Sequence, residues 1–399
     1  MTARTSQRPI PLPTAIWLVV AVIGWSMIAW LAVRLFAANP PAAGFDLELL
    51  LRAGRDVAAG RSPYDPALLN GAAPDATGLF FSYPPVVAQA FALISALPSG
   101  FVFVAWSIGA IAALIVVAER LRRTVRATAP AGSLALAVLA IGSLTFPFTI
   151  AVLFGNLDAF FPALYGLALV AAVSPRRAAG VAGGVAVAIA AVTKLYPAGL
   201  GVWFAVRAVR ERPAAVTVIS AVAAAAALVA VSLVIGGPNA WRDYVTVVGA
   251  ASRAELLDPD NIGLAAILAR AVGRDSDFAR LAQIVVSVAA LIAIVWAACK
   301  RPDPVESLAI AAAATFVLLP VTWIHYPAAL IPFGIAALLR SDGPVAARVR
   351  LLIGGAVVAA GASLAWLPLL WLGVGLVLMG VHASAPESVA GSAAEAATR

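Results

Sequence analysis

The sequence predicts an all-α polytopic membrane protein, a bundle of about 11–13 transmembrane helices with a long first extracytoplasmic loop. Three observations predict it. Of 399 residues, 63% are hydrophobic and 12% charged, against about 25% charged in a soluble domain, and the mean hydropathy is +0.99. Apolar stretches of about 20 residues, enough to cross a bilayer as a helix, recur from end to end. Arginines gather in the short segments between those stretches, where orientation in the membrane is set. No polar region is large enough for a separate soluble domain, so residues 1–382 read as one integral-membrane domain. Residues 383–399, rich in Ala, Ser and Glu, read as a disordered cytoplasmic tail.

The first span, 14–36, is too long for a signal-peptide core and lacks a small-residue cleavage site, so it reads as a retained helix. In the outside loop 37–80, apolar residues at 45, 47, 49, 50, 51, 53, 57 and 58 alternate with charges at 46, 48, 52, 55 and 56. That pattern suits an amphipathic helix at the interface, ending at Gly60 before the turn-rich Arg61-Ser62-Pro63-Tyr64-Asp65-Pro66. The stretch 81–98 opens on Tyr-Pro-Pro and reads as re-entrant or interfacial. Further helices are expected at 100–119, 131–152, 156–173, 178–194, 196–209 and 214–236. After a second large outside loop, 237–278, come 279–299, 305–321, 325–340, 349–365 and 366–382. Several are short and broken by Pro or Gly, and non-helical backbone at membrane depth survives only inside protein or beside water.

Charge tests this topology. Arg4, Arg8, Arg120, Arg122, Arg123, Arg126, Arg176, Arg177, Arg207, Arg210, Arg212, Lys300, Arg301, Arg340, Arg348, Arg350 and Arg399 fall on the side assigned to the cytoplasm. The two large outside loops hold Arg52, Arg55, Arg61, Arg242, Arg253, Arg270 and Arg274, together with most of the 19 acidic residues. Basic residues inside and mixed charge outside place both termini in the cytoplasm. The same distribution argues against a nucleic-acid partner despite the net charge of +8. The lone Cys299 excludes an internal disulfide and a cysteine-built metal site, and His325 and His382 are too far apart in sequence for a zinc motif. No compact metal-ligand set is seen, and no metal or cofactor is expected. The abundance of Ala, Arg and Pro is typical of a high-GC bacterial genome, which suggests a bacterial cell membrane.

Chemistry concentrates at the outside ends of the spans. Asp46 is placed to take a proton from an alcohol at the membrane surface, or simply to favour the helix dipole as a first-turn acid or cap. Asp158, in Gly155-Asn156-Leu157-Asp158, is either a loop cap or a deeper, costly and therefore suggestive carboxylate. Lys194 follows a long run of small apolar residues; it either snorkels to the interface or holds a lipid phosphate. Trp241 and Tyr244 suit an aromatic belt or sugar recognition. Arg270 or Arg253 would offer a second phosphate contact. His325, in Trp323-Ile324-His325-Tyr326-Pro327, is either a structural group or a proton acceptor.

Several of these pieces occur together in an order that resembles glycosyltransferase family 87, over roughly 14–340. They are Asp46 with Gly60-Arg61-Ser62-Pro63-Tyr64-Asp65; Tyr83-Pro84-Pro85; Gly155-Asn156, where the family usually shows Gly-Gln; Thr193-Lys194-Leu195-Tyr196-Pro197; Asn261 before an arginine; and His325 after a proline- and tryptophan-bearing helix end. Asn261-Ile262-Gly263 departs from the family's Asn-Gln-Ser-like run. The resemblance implies a GT-C membrane fold and transfer, with inversion, of a sugar such as mannose from a polyprenyl-phosphate donor to a lipid or glycan acceptor on the extracytoplasmic face. It implies Asp46 and His325 as catalytic residues, either of them the base; Lys194, Arg270 and Tyr83 at the donor phosphate; and Tyr64, Asn156, Tyr196 and Asn261 at the substrates. The competing class is a transporter or flippase of lipid-linked substrates, against which stand the absence of an inverted repeat and the motif order. A noncatalytic scaffold is the third reading. Oligomeric state is not legible.

Reporters fused after Arg123 and after Arg177 are expected to read cytoplasm, and one near Asp75 to read outside. An outside reading after Arg123 would make 81–98 a full span and overturn the topology.

Overall fold

The computed structural model describes residues 14–38, 43–70, 80–125, 127, 129–340, 345–364 and 366–385. Most of the expected tail lies outside these residues, as do Arg4, Arg8, Asp75, Arg126 and Arg399. Among the described residues every regular element is a helix.

The chain opens with α1 (Thr14–Phe36), which leaves most of its apolar side chains on the surface. The amphipathic α2 (Phe45–Ala58) follows, burying Leu47, Leu50 and Leu51 almost completely. Each such leucine contributes about 1.5–3 kcal/mol of burial. Its charges turn outward, with Glu48 paired to Arg55 and Asp56 to Arg61. After the single turn α3 (Pro66–Leu69) comes α4 (Pro85–Ala92). At 1.5 Å per residue α4 is about 12 Å long, too short to cross, as the re-entrant reading of 81–98 requires. It packs with α2, Tyr64 and Phe81 in one outer cluster.

Next come α5 (Ser99–Thr124), α6 (Ala131–Leu144), α7 (Phe146–Phe154), α8 (Phe161–Val173), α9 (Arg177–Thr193) and α10 (Ala198–Ala208). The expected helix 131–152 is two helices, α6 and α7, bent by 79° where Pro147 stands in the first turn of α7. Beyond them, α11 (Arg212–Ala254) corrects the sequence reading of 237–278 as loop. The helix does break at Gly237, whose φ of 67° and ψ of 178° suit glycine alone, and Pro238 follows. It then resumes on the other side of the break. The chain closes with α12 (Leu264–Ala271), α13 (Ser276–Lys300), α14 (Pro304–Thr315), α15 (Ile331–Leu339), α16 (Val345–Ser363) and α17 (Leu367–Ala383).

Among the described residues five helices are long and apolar enough to cross alone, and the bent α6–α7 pair makes a sixth candidate. The remaining apolar helices run 10–17 residues, or at most about 25 Å, less than the roughly 30 Å hydrocarbon core. Most of the short ones are interior. Tyr165, Leu169, Trp203, Phe204, Leu308, Phe316 and Phe333 from α8, α10, α14 and α15 form the main core. Short helices leave their ends, and the side chains there, inside the protein.

Candidate active site

Asp46 is set by the joint between α2 and α7. The Gly44 amide donates to the Leu153 carbonyl at 2.8 Å, and the Phe45 and Phe154 rings meet at 4.3 Å. Gly155 ends α7 in a left-handed conformation, φ 69°. A Cβ there would lie 2.5 Å from the Leu47 Cβ, so only glycine lets the two helices meet. The next residue, Asn156, then reaches Asp46: its Nδ2 donates to Asp46 Oδ2 at 2.6 Å. Asp46 does lie in the first turn of α2, but the helix has no side-chain cap, and the Asp46 carboxylate is bonded to Asn156.

Asn156 looks two ways. Its Oδ1 accepts from the Asp158 amide at 2.9 Å and from Lys194 Nζ at 3.4 Å. Lys194 ends α9 in extended backbone. Its ammonium is in direct ion contact with Asp158 Oδ2 and stands over the rings of Tyr83 and Tyr326, 5.4 and 5.1 Å from their centroids. These cation–π contacts and the ion pair offset the loss of solvent around a side chain that is 9% exposed.

Asp158 is the hub. It is 1% exposed. Tyr196 Oη donates to Oδ1 at 3.0 Å, and the Tyr196 ring stacks on Tyr326 at 4.2 Å. His325 Nε2 lies 2.8 Å from Oδ2, but the carboxylate is off the N–H direction, and Nε2 is buried with no hydrogen-bond partner.

The site raises the basicity of Asp46. The residue is half-buried, and protein crowds its carboxyl closely. Burial, the largest influence, pushes its pKa up from the ordinary 3.8. The Asn156 hydrogen bond and the charges of His325 and Lys194 pull the other way, and Asp158 adds to the rise. Burial and the neighbouring Asp46 and Asp158 carboxylates keep the Tyr83 phenol protonated.

The structure thus brings Asp46, Tyr83, Asn156, Lys194, Tyr196 and His325 into one cluster. Asp46 and His325 share no hydrogen bond; they are linked through Asn156 and Asp158. Three expected site residues stand elsewhere. Asn261 is fully buried. Its Nδ2 donates to the carbonyls of Glu255, Leu256 and Pro320 at 3.2, 3.1 and 2.9 Å, and its Oδ1 accepts from the Gly263 and Thr322 amides at 2.9 and 3.0 Å. An amide with both donors and both lone pairs engaged has nothing left for a substrate. Arg270 donates to the carbonyls of Asp258 and Asn261 at 2.5 and 2.7 Å, so it braces that loop. Tyr64, 2% exposed, donates to the Tyr83 carbonyl at 2.9 Å. Asn261 and Arg270 hold the segment leading to His325, and Tyr64 holds Tyr83. Asp158 and Tyr326 are the cluster members that the sequence reading left out of the site. A carboxylate interrupting an apolar run was the available signal for the first.

The sequence model of glycosyltransferase family 87 matches residues 80–322. A polyprenol-phosphate-mannose-dependent alpha-(1-2)-phosphatidylinositol pentamannoside mannosyltransferase of Mycolicibacterium smegmatis is 30% identical over 297 residues, 74% of this chain and 67% of that protein. Its counterpart in Mycobacterium tuberculosis is 28% identical over 292 residues, 72% of this chain and 64% of that protein. The chain therefore spans about two thirds of these relatives. Among solved structures, ArnT from Cupriavidus metallidurans bound to undecaprenyl phosphate overlays at a TM-score of 0.46 with 17% identity, covering 93% of this chain and 75% of ArnT. Its apo state overlays at 0.38 with 16% identity, covering 91% and 76%.

Gly155→Ala is expected to be costly twice over: about 1–2 kcal/mol for the left-handed backbone and about 1–3 kcal/mol for crowding Leu47. Thermal unfolding in detergent reads the sum as a lower Tm, and turnover should fall as Asp46 shifts from Asn156. A variant with unaltered Tm and turnover would show that this joint does not position Asp46.

Proposed function

Since the chain belongs to glycosyltransferase family 87, a family of membrane glycosyltransferases, we propose that it moves mannose from a polyprenyl-phosphate donor to a lipid or glycan acceptor on the outer side of a bacterial inner membrane. The observation that carries this reading is the bridge through Asn156, which joins Asp46 on one side to Lys194 and Asp158 on the other. A base and a buried cation are thereby held in one cluster, as transfer from a sugar phosphate requires.

The acceptor hydroxyl attacks the anomeric carbon in line, and a β-linked donor gives an α-linked product. Asp46 takes the hydroxyl proton. Asn156 holds one carboxylate oxygen, which leaves the other to meet the acceptor. The leaving group is an anionic lipid phosphate and needs charge stabilisation more than a proton. An ammonium has three N–H donors. Lys194 directs two at Asp158 and Asn156, so the third is available to the phosphate. Tyr83 and Tyr326, whose rings flank the ammonium, keep it in place as that contact forms. Tyr196 holds Asp158 from behind.

The test is transfer by purified protein from radiolabelled polyprenyl-phosphate-mannose to candidate lipid acceptors. Absence of transfer to every acceptor, in a preparation that remains folded, would count against the reading. Asp46→Asn keeps size and removes the basic oxygen, so turnover should fall about 10²–10⁴-fold. Lys194→Ala should raise the KM for the donor as well as lower kcat, because the phosphate is charged in ground and transition states alike.

The pH dependence follows from Asp46. A base acts when ionised, and the fraction ionised grows as pH rises through its pKa. Because that pKa is raised above 3.8, the acid limb of kcat/KM should lie at higher pH than an unperturbed aspartate would give. The residual activity of Asp46→Asn should lack that limb. Persistence of the limb in the variant would assign it to another group.

A further inference from the structure

Charge in the cluster is unbalanced once a donor is present. Lys194 and Asp158 neutralise one another by contact. Asp46 has an amide, not a cation, as its hydrogen-bond partner, and it must be ionised to act as base. A sugar phosphodiester adds another negative charge. With a neutral imidazole at position 325, two net negative charges would share a site largely closed to water, where repulsion is several times stronger than in solvent.

His325 is the group placed to supply the missing positive charge. It precedes the turn Tyr326–Leu330 and is 7% exposed. Its Nε2 lies 2.8 Å from Asp158 Oδ2, the oxygen that also takes Lys194. That nitrogen has no hydrogen-bond partner. Imidazole and ammonium therefore stand side by side on one carboxylate oxygen.

The groups facing His325 are few. Asp158 comes from the turn Leu157–Phe160 and Asp46 from α2, and the charges of both bear on the imidazole. Lys194 comes from the end of α9. Tyr326 lies beside it, ring centroids 5.3 Å apart. Tyr196 holds the other Asp158 oxygen, Tyr165 of α8 is bonded to Thr315 of α14, and Tyr83 faces Asp46 and Asp158. Glu255 acts on Lys194 and Tyr326 from the far side. Of the other elements on this turn, α7 and α15 carry no titratable residue. Glu306 at the start of α14 is tied to Arg301 and His382. Histidine is the side chain whose charge ordinarily changes near neutral pH.

We propose that His325 takes up a proton from solvent when the donor binds, so that His325 and Lys194 meet the phosphate as two cations seated on Asp158. This rests on the donor reading above and gives His325 the phosphate in place of the acceptor proton. The imidazolium then releases its proton after the lipid phosphate leaves.

The experiment is calorimetric binding of polyprenyl-phosphate-mannose, without acceptor, to the full-length protein in nanodiscs, in buffers of different ionisation heat near neutral pH. The diester is chosen because it has no proton of its own to exchange there. The expected result is uptake approaching one proton per donor, with affinity falling by up to about tenfold per pH unit on the alkaline side. His325→Gln keeps a hydrogen-bond donor but cannot titrate; it should bind more weakly, with neither the uptake nor the pH dependence. Buffer-independent heats with a flat affinity profile in the native protein overturn the proposal. So does uptake that persists in His325→Gln, which would assign the proton to Asp46 or Glu255, and so does a divalent-cation requirement without uptake. Binding without proton uptake defeats this inference alone, whereas no donor binding at any pH defeats the donor reading and this inference with it.

Discussion

The contact between Lys194 and Asp158 is the constraint around which the outer half of the bundle is arranged. Neither charge would be tolerated alone at 9% and 1% side-chain exposure; stripping a buried pair of one partner costs about 3–5 kcal/mol. The pair can persist only if the rest of each group's capacity is also used. Asp158 receives Tyr196 and the proximity of His325, and Lys194 receives Asn156 and two aromatic faces. These partners come from four separate stretches of chain. Meeting the demands of one ion pair thus draws the α9–α10 junction, the turn after α7, the approach to α15 and the approach to α4 to one point.

That convergence explains the broken helices. A continuous helix satisfies its own backbone and offers only side chains to its neighbours. A helix that ends inside the protein can turn its chain toward a common centre, provided the free backbone groups find partners there. The Asp158 amide finds Asn156 Oδ1, and the Thr322 amide finds Asn261 Oδ1. Asn261 spends its amide on backbone groups, and by holding Pro320 and Thr322 it decides where His325 can stand. Arg270 does the same one step further out, through the Asn261 carbonyl.

Much of this was legible in the sequence, for reasons that differ residue by residue. The membrane class follows from composition, and α2 from the alternation of leucines and charges between Phe45 and Ala58. Lys194 and His325 stood out because each interrupts an apolar stretch. The roles of Asn261 and Arg270 were not legible: a polar side chain in an outside loop reads the same whether it faces a ligand or a backbone carbonyl, and only the fold decides. Asp158 was ambiguous because its burial depends on residues distant in sequence. The second half of α11 was hidden by Gly237-Pro238, a pair that ordinarily ends a helix and here only redirects one.

The shortness of α9 bears on the lipid as well as on the protein. Val181, Val185 and Ile189 are 41%, 37% and 38% exposed along one side, an apolar stripe of the kind acyl chains would cover. Seventeen residues give about 25 Å of helix, some 5 Å less than the usual hydrocarbon thickness of about 30 Å. A bilayer meeting this edge must thin, at a cost of fractions of a kcal/mol per ångström. Lys194 stands at the C-terminal end of that same helix, so a bilayer thinned at this edge would bring lipid headgroups closer to the level of the ammonium.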